Sequence, residues 1–515
     1  MSHIADVLLT DLRHSIRELG KGGGMNSPSI YETAQVLRFM PPAGMIWPAL
    51  EWLEMQQQPD GGWGEPAVPR ARDVSTLAAI LALQKHGSRV HEQHSIYAGL
   101  AFLRHQASYW ARLTDDLPVG VELLLPHLLE ETARAGLKIP IEPYVQLIAL
   151  GKHRRKLIAG REWPPGTPPV HSWEGWGVEP SPALLDGTGG VGHSSAATAA
   201  WLQAARDRPD LAEARERALG YLERAATMTG VGLPGVVPGV WPINHFELVF
   251  GMYMLCLAGL LRHPALRDTI EPQVQTLKAA FRPEGIGFSD YFMPDGDDTA
   301  AALAILHTAG QSVSSAPLRR FAVNSHFCAF PGELQPSLSV VAHAAHALCL
   351  LGEDPAAAYS YIIEQQQSDG RWMGDKWQSS WLYTTSQALL ALPYQRYARQ
   401  LDRAIDEIVS YQAPSGGWGS HHGPTTEETA YGVLALRHLR RQGVLHEEGQ
   451  LALAAAEQWM LDQYQPFRQR APQLWLDKDA YRPLRIVRIV ELVATLPEQA
   501  YADATSTTLS AKTRG

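Results

Sequence analysis

Cysteine is scarce in this chain: Cys256, Cys328 and Cys349 are the only three in 515 residues. They stand far apart in apolar segments, which excludes a disulfide scaffold and reads as buried thiols of a reducing compartment. Long hydrophobic runs are missing as well. The longest, Leu248 to Leu261, is too short to span a bilayer. The start, Met1-Ser2-His3-Ile4, leads into charged, amphipathic sequence instead of the apolar core of a signal peptide. A cytoplasmic protein without stable membrane insertion is expected. Basic charge is in short supply: Lys and Arg number 44 against 53 Asp and Glu, a net −9 with no long basic run. That argues against a nucleic-acid partner, though a local basic pocket still suits an anionic substrate. No His-Glu-x-x-His, Gly-x-Ser-x-Gly or phosphate-binding P-loop pattern occurs. Gly187 to Gly192 satisfies Gly-x-Gly-x-x-Gly, but no strand precedes it, so it reads as a loop. His421-His422 has no Cys or carboxylate at zinc-ligand spacing.

Alternating strand patterns are the remaining absence; the periodicity is helical throughout. At 45% apolar and 19% charged residues the composition is globular, and the length exceeds one ordinary core. A Gly/aromatic turn followed by a Thr- and Ala-rich helix recurs along the chain. Its sharpest copies are Gln57-Gln58-Pro59-Asp60-Gly61-Gly62-Trp63, Gln366-Gln367-Ser368-Asp369-Gly370-Arg371-Trp372 and Gln412-Ala413-Pro414-Ser415-Gly416-Gly417-Trp418. The later copies repeat at about 45 residues, room for two helices and their loops, and such pairs can close into an α/α barrel. Trp63, Trp372 and Trp418 are then structural staples between successive helices. The stretch from about Thr114 to Trp173 interrupts the series. Its basic run Lys152-His153-Arg154-Arg155-Lys156 reads as a helix end, and the prolines from Pro164 to Pro169 as an ordered loop.

The segment Tyr291-Phe292-Met293-Pro294-Asp295-Gly296-Asp297-Asp298-Thr299 sets three carboxylates just before an apolar helix. Like charges this close do not all ionise cheaply in a dry site, so at least one is expected to keep its proton and serve as an acid. The competing reading is a helix cap by Asp297 or Asp298.

Together the Gln-rich Gly-Trp repeats and the Asp-x-Asp-Asp-Thr-Ala segment resemble the class II terpene cyclases. The bacterial class II diterpene cyclases of the copalyl diphosphate synthase type are the closer match, over nearly the whole chain. Val170-His171-Ser172-Trp173-Glu174-Gly175, Val240-Trp241-Pro242-Ile243-Asn244, Asp375-Lys376-Trp377 with Tyr383-Thr384-Thr385, and Leu474-Trp475-Leu476-Asp477-Lys478 with Tyr481-Arg482-Pro483 line up in order. The resemblance implies an all-α fold of two α/α-barrel domains. A β domain would take residues 1–20 and 240–515, and a γ domain inserted at 21–239 would leave the active site between them. It also implies that the class I domain of longer relatives is missing, since no Asp-Asp-x-x-Asp motif occurs. The substrate's diphosphate would then survive in the product, for a downstream class I terpene synthase to ionise.

By the same resemblance, Asp297 donates the proton that starts cyclisation of a linear prenyl diphosphate, with Asp295 and Asp298 orienting it and tuning its acidity. Tyr291, Phe292, Trp377 and Trp381, with Phe288, are candidates to stabilise the cations, with plain core the favoured account of each taken singly. Lys376, Lys478, Arg482 and Arg485 are candidates for the diphosphate, with a solvated helix face as the competing account. Asp115 and Asp116, before Glu122, resemble the acidic element associated with Mg2+ in this class. His171 matches the histidine that helps remove the last proton in plant-like ent-copalyl enzymes. Its asparagine partner is replaced by Gly239 in Pro238-Gly239-Val240. A different stereoisomer, a clerodane or halimane skeleton, or water capture therefore stays open. So do farnesyl in place of geranylgeranyl diphosphate as substrate, and a non-catalytic α/α-barrel binding protein.

Overall fold

The protein is described from a computed structural model over residues 2–44, 46–113, 117–324, 326–333, 336–421, 423–466 and 471–498. Asp115, Asp116 and His422 lie outside the described residues. Six helices form a closed ring: Asn244–Ala258, Gly296–Thr308, Leu338–Leu350, Trp381–Ala391, Thr426–Arg441 and Leu484–Thr495. Each packs on the next, and the last returns to the first. These helices are buried on nearly every face, so they read as apolar or small-residue runs rather than stripes. The helices outside the ring are amphipathic: Tyr394–Ser410 buries only Leu401, Ala404, Ile405 and Ile408, one face at helical spacing. The first helix, Ser2–Glu18, packs on Arg267–Ala280 and Leu484–Thr495, so the chain's start joins this larger barrel.

A second ring runs through Ile30–Phe39, Arg72–His86, Val121–Arg134, the short turn Trp173–Gly175 and Ser195–Ala204, which closes on Ile30–Phe39. The two rings have separate apolar cores.

The Gly-Trp turns are built alike. Trp63, Trp372 and Trp418 are fully buried. Each ring nitrogen donates to the carbonyl ten residues earlier, on Leu53, Ile362 and Ile408, at 2.7, 2.7 and 2.8 Å. Gln57, Gln366 and Gln412 each donate to a turn glycine carbonyl and to the next outer helix. At Gly416 the turn needs φ near 101°, and a Cβ would come within 2.7 Å of the Ala455 carbonyl oxygen, so glycine is required.

Two local expectations change, while the basic run read as a helix end does fall toward the end of its helix. Two antiparallel two-residue ladders exist, Ala322–Val323 with His326–Phe327 and Trp475–Leu476 with Ala480–Tyr481, too short to leave a period-two signature. Cys349 is exposed at the end of Leu338–Leu350, so only Cys328 is fully buried. The basic run lies inside Val145–Ile158, which flanks the cavity described next. No helix among the described residues is long and apolar enough to cross a membrane.

Candidate active site

The Asp-rich segment enters the helix Gly296–Thr308, and the cap is Asp295, not Asp297 or Asp298. The Asp295 Oδ1 accepts from the backbone N–H groups of Asp297 at 2.9 Å and Asp298 at 2.8 Å. This cap fixes the first turn, which sends Asp297 and Asp298 to different surroundings. Asp298 is fully buried. Both its oxygens, and the second oxygen of Asp295, have no donor from other groups. A proton on one Asp298 oxygen directed at Asp295 satisfies two of these three oxygens. Burial, with the neighbouring carboxylates, pushes Asp298 well above the usual carboxylate range. Burial likewise lifts Asp295 to about 7, against the opposing hydrogen bond from Asp298.

Asp297 faces a cavity, and its Oδ1 lies 2.6 Å from Nδ1 of the buried His343. His343 Nε2 lies 3.1 Å from the side-chain amide oxygen of Gln387 and so carries a hydrogen. In the neutral ring, Nδ1 is then an acceptor, which requires the proton of the pair to sit on Asp297. In the ionised pair, an imidazolium faces the Asp297 carboxylate. The arrangement supports the acid in both of its states.

The cavity, about 570 Å³, lies between the rings and takes its walls from both. Its lining includes Phe246, Phe250, Phe288, Phe292, Phe330, Trp377, Tyr383, Trp475 and Tyr481. Phe288 and Phe292 stack at 5.2 Å, and Phe246 and Phe250 lie edge-on to Trp475 at 5.9 and 6.1 Å. Such π faces attract positive charge and offer no lone pair to trap it. A polar cluster completes the wall. Lys376 pairs with Glu333 at 2.9 Å, Arg154 donates to the Gly332 carbonyl at 3.5 Å, and Arg161 and Glu122 also line the cavity. Burial raises the Glu122 pKa, while the charges of Arg154 and Lys376 act to lower it.

His171 also lines the cavity, at the end of Pro168–His171. Its Nδ1 is 2.7 Å from the Gly192 carbonyl oxygen, and its Nε2 is 3.1 and 3.3 Å from the two oxygens of Asp477.

The family model for the squalene-hopene cyclase C-terminal domain matches residues 335–438. The chain is 46% identical to the (+)-kolavenyl diphosphate synthase of Herpetosiphon aurantiacus, covering 96% of this chain and 98% of that one. It is 32% identical to the ent-copalyl diphosphate synthase of a Streptomyces species, covering 92% of each. This chain belongs to the bacterial class II diterpene cyclases. Among solved structures, the ent-copalyl diphosphate synthase from Streptomyces platensis superposes with a TM-score of 0.79 at 27% identity, over 96% of this chain and 98% of that one. As a class II diterpene cyclase the chain is an enzyme, which removes the binding-protein alternative.

Within this cyclase, Asp295, Asp297, Asp298, His171, Phe292, Lys376 and Trp377 meet at one cavity. Five other candidates do not line it. Lys478 is buried in the smaller barrel, donating to Glu32, Glu174 and Ser194 at 2.8, 2.7 and 2.6 Å, so its charge is already matched. Arg482 is held by Glu427 and Glu491, and Arg485 by Glu247. Trp381 packs edge-on to Tyr411 under the Arg371 guanidinium. Tyr291 is 46% exposed, and its ring covers Gly187. Among the residues not singled out from sequence as site residues are Arg154 and Asp477 in the cavity wall and His343 behind Asp297. Arg154 sat in the noted basic run and Asp477 in the noted C-terminal element. His343 gave only the signal of a histidine on an Ala-rich, fully buried helix.

Proposed function

We propose that this cyclase converts geranylgeranyl diphosphate into a bicyclic diterpenyl diphosphate by protonation of the terminal alkene, with the diphosphate retained. The carrying observation is Asp297, backed by His343 and set beside the Asp295–Asp298 pair, opening onto an aromatic cavity. An alkene is a very weak base, so its protonation needs a poised acid and a dry cavity that shelters the cation. The proton leaves the Asp297 carboxyl for the terminal alkene carbon, and the internal double bonds then close the rings onto the cation. An Nδ1–H on His343, present when the ring is imidazolium, donates to the Asp297 carboxylate left behind, and the π faces steady the migrating charge.

Arg154, Arg161 and Lys376 seat the diphosphate. Among the described residues no cluster of three or more metal-ligating side chains exists. A Mg2+ shared with a diphosphate needs few protein ligands, and the Glu122 carboxylate beside Arg154 and Lys376 fits that donor chemistry. When bound, the ion would neutralise diphosphate charge. The relative's name favours a kolavenyl-type product. The same reading divides the chain into a β domain of residues 1–20 and 240–515 and a γ domain of 21–239. A cytoplasmic setting agrees with three free cysteines, and a class I synthase would consume the product downstream.

The test is incubation of purified protein and Mg2+ with geranylgeranyl and, separately, farnesyl diphosphate. Intact products are read by liquid chromatography–mass spectrometry. A bicyclic C20 diphosphate is expected. A C15 product alone overturns the substrate, and unchanged substrate in both tubes overturns the reading.

A further inference from the structure

Every cyclisation of this type must end by disposing of the positive charge, and the residue expected to do so, His171, has no free nitrogen. Its Nδ1 faces a backbone carbonyl oxygen at 2.7 Å and its Nε2 faces a carboxylate at 3.1 Å. The backbone carbonyl only accepts, and the ionised Asp477 carboxylate accepts as well, so the ring satisfies both with hydrogens on both nitrogens, as imidazolium. An imidazolium has no lone pair to receive a further proton.

We propose that the proton acceptor in the terminating step is the carboxylate of Asp477, and that His171 is a positioning residue which holds that carboxylate ionised and aimed into the cavity. The proposal rests on the cyclase reading above. Asp477 lies in the turn between the two-residue strands Trp475–Leu476 and Ala480–Tyr481, and it lines the same cavity as Asp297. A Cβ on Gly239 would sit 3.6 Å from Asp477 Oδ2. The position where plant-like ent-copalyl enzymes carry an asparagine is thus left without a side chain here, and Asp477 stands against it. The charge states agree with the geometry. Burial opposes charge on His171, but the Asp477 carboxylate prevails and raises the His171 pKa. Burial likewise opposes the Asp477 anion, and the facing His171 charge keeps its pKa below the usual range.

A depressed pKa does not disqualify Asp477, because a carbocation is a far stronger acid than any carboxylic acid. Position decides which base acts. In the step, a C–H bond next to the cationic carbon breaks and its electron pair becomes the new C=C bond. The proton goes to an Asp477 oxygen and from there to solvent, so one proton enters at Asp297 and one leaves at Asp477. Pairing with imidazolium also blunts the carboxylate as a nucleophile, which favours proton removal over ester formation.

The experiment compares product distributions of Asp477→Asn and His171→Gln with those of the parent enzyme on geranylgeranyl diphosphate, folding being checked by thermal melting. Asp477→Asn should still consume substrate, more slowly, with the ratio of parent alkene to hydroxylated or double-bond-isomeric diphosphates falling about tenfold or more. His171→Gln, whose amide can donate to Asp477 but takes no proton, should turn over more slowly yet give the parent alkene as its main product. The parent alkene as main product of Asp477→Asn overturns the proposal, as does its loss in His171→Gln. If either variant does not fold, Asp477→Leu and His171→Arg are read by the same criteria; an arginine donates and never accepts. Failure of the parent enzyme to cyclise would instead sink the cyclase reading, and the two failures are separate observations.

Discussion

Replacing Lys478 by Met tests how the chain settles charge in its smaller barrel. The ammonium is almost fully buried and is shared by Glu32 and Glu174, also buried, with Tyr31 and Ser194 as further neighbours. Methionine keeps most of the stem's volume and removes only the charge. The two carboxylates then face each other without a cation, and at least one must take up a further proton to stay inside. Burial has already lifted Glu32 from 4.5 to about 7 with the lysine present. Neutralising a carboxyl of ordinary pKa 4.5 at about pH 7.5 costs roughly 1.36 kcal/mol for each of about three pH units, near 4 kcal/mol. That agrees with the ~3–5 kcal/mol seen when one partner of a buried ion pair is removed. The sign with pH follows from proton counts. The folded variant binds more protons than its unfolded chain above pH 4.5, so its stability falls as pH rises, and the deficit should shrink to about 1.4 kcal/mol near pH 5.5. Urea titrations of both proteins at the two pH values measure this. A deficit below about 1 kcal/mol at pH 7.5, or one equal at both pH values, refutes the reasoning.

Three further outcomes are expected. Asp297→Asn should lower turnover at least about 100-fold with little change in melting temperature, because the amide keeps the contact with His343 but is no acid; near-normal product formation would remove Asp297 from its role. Arg154→Gln should raise KM about tenfold with a smaller effect on kcat, the pattern of a lost charge-assisted contact to the substrate's anionic end, read from initial-rate kinetics. Gly416→Ala should cost about 1–3 kcal/mol by thermal or urea unfolding, since alanine meets both an unfavourable φ and the Ala455 carbonyl.

The helical repeat and the carboxylate cluster were legible in the chain because both are local. The Gly-Trp turns carry their own hydrogen-bond partners within about a dozen residues, and Asp295, Asp297 and Asp298 share one helix start. Three of the four diphosphate candidates, Lys478, Arg482 and Arg485, lie off the cavity, and this was not legible for the opposite reason. Whether Lys478 is free depends on Glu32 and Glu174, which arrive from 446 and 304 residues away. The partner of Asp297 comes from the next helix of the ring, and a lone histidine in an alanine-rich run announces nothing until Leu338–Leu350 is packed against Gly296–Thr308. His171 was matched to a histidine that helps remove the last proton, but its protonation was invisible without the Gly192 carbonyl and Asp477 facing its two nitrogens. The basic run was noticed and read as a helix end, because nothing local says that Arg154 turns toward a cavity wall.

The hairpin from Trp475 to Tyr481 gives three consecutive residues to different duties. Asp477 faces the cavity, Lys478 enters the charge cluster of the smaller barrel, and Asp479 accepts from Ser29 and from the Tyr31 backbone. Evolution therefore has little freedom in this turn. A change that re-aimed Asp477 would disturb the seam that its two neighbours hold, so inheritance ties the outcome of the reaction to the assembly of the molecule. Divergence toward new skeletons should accumulate instead on the aromatic walls, where a ring is exchanged for another shape without loosening the join, leaving the turn as the slow-changing part of the lineage.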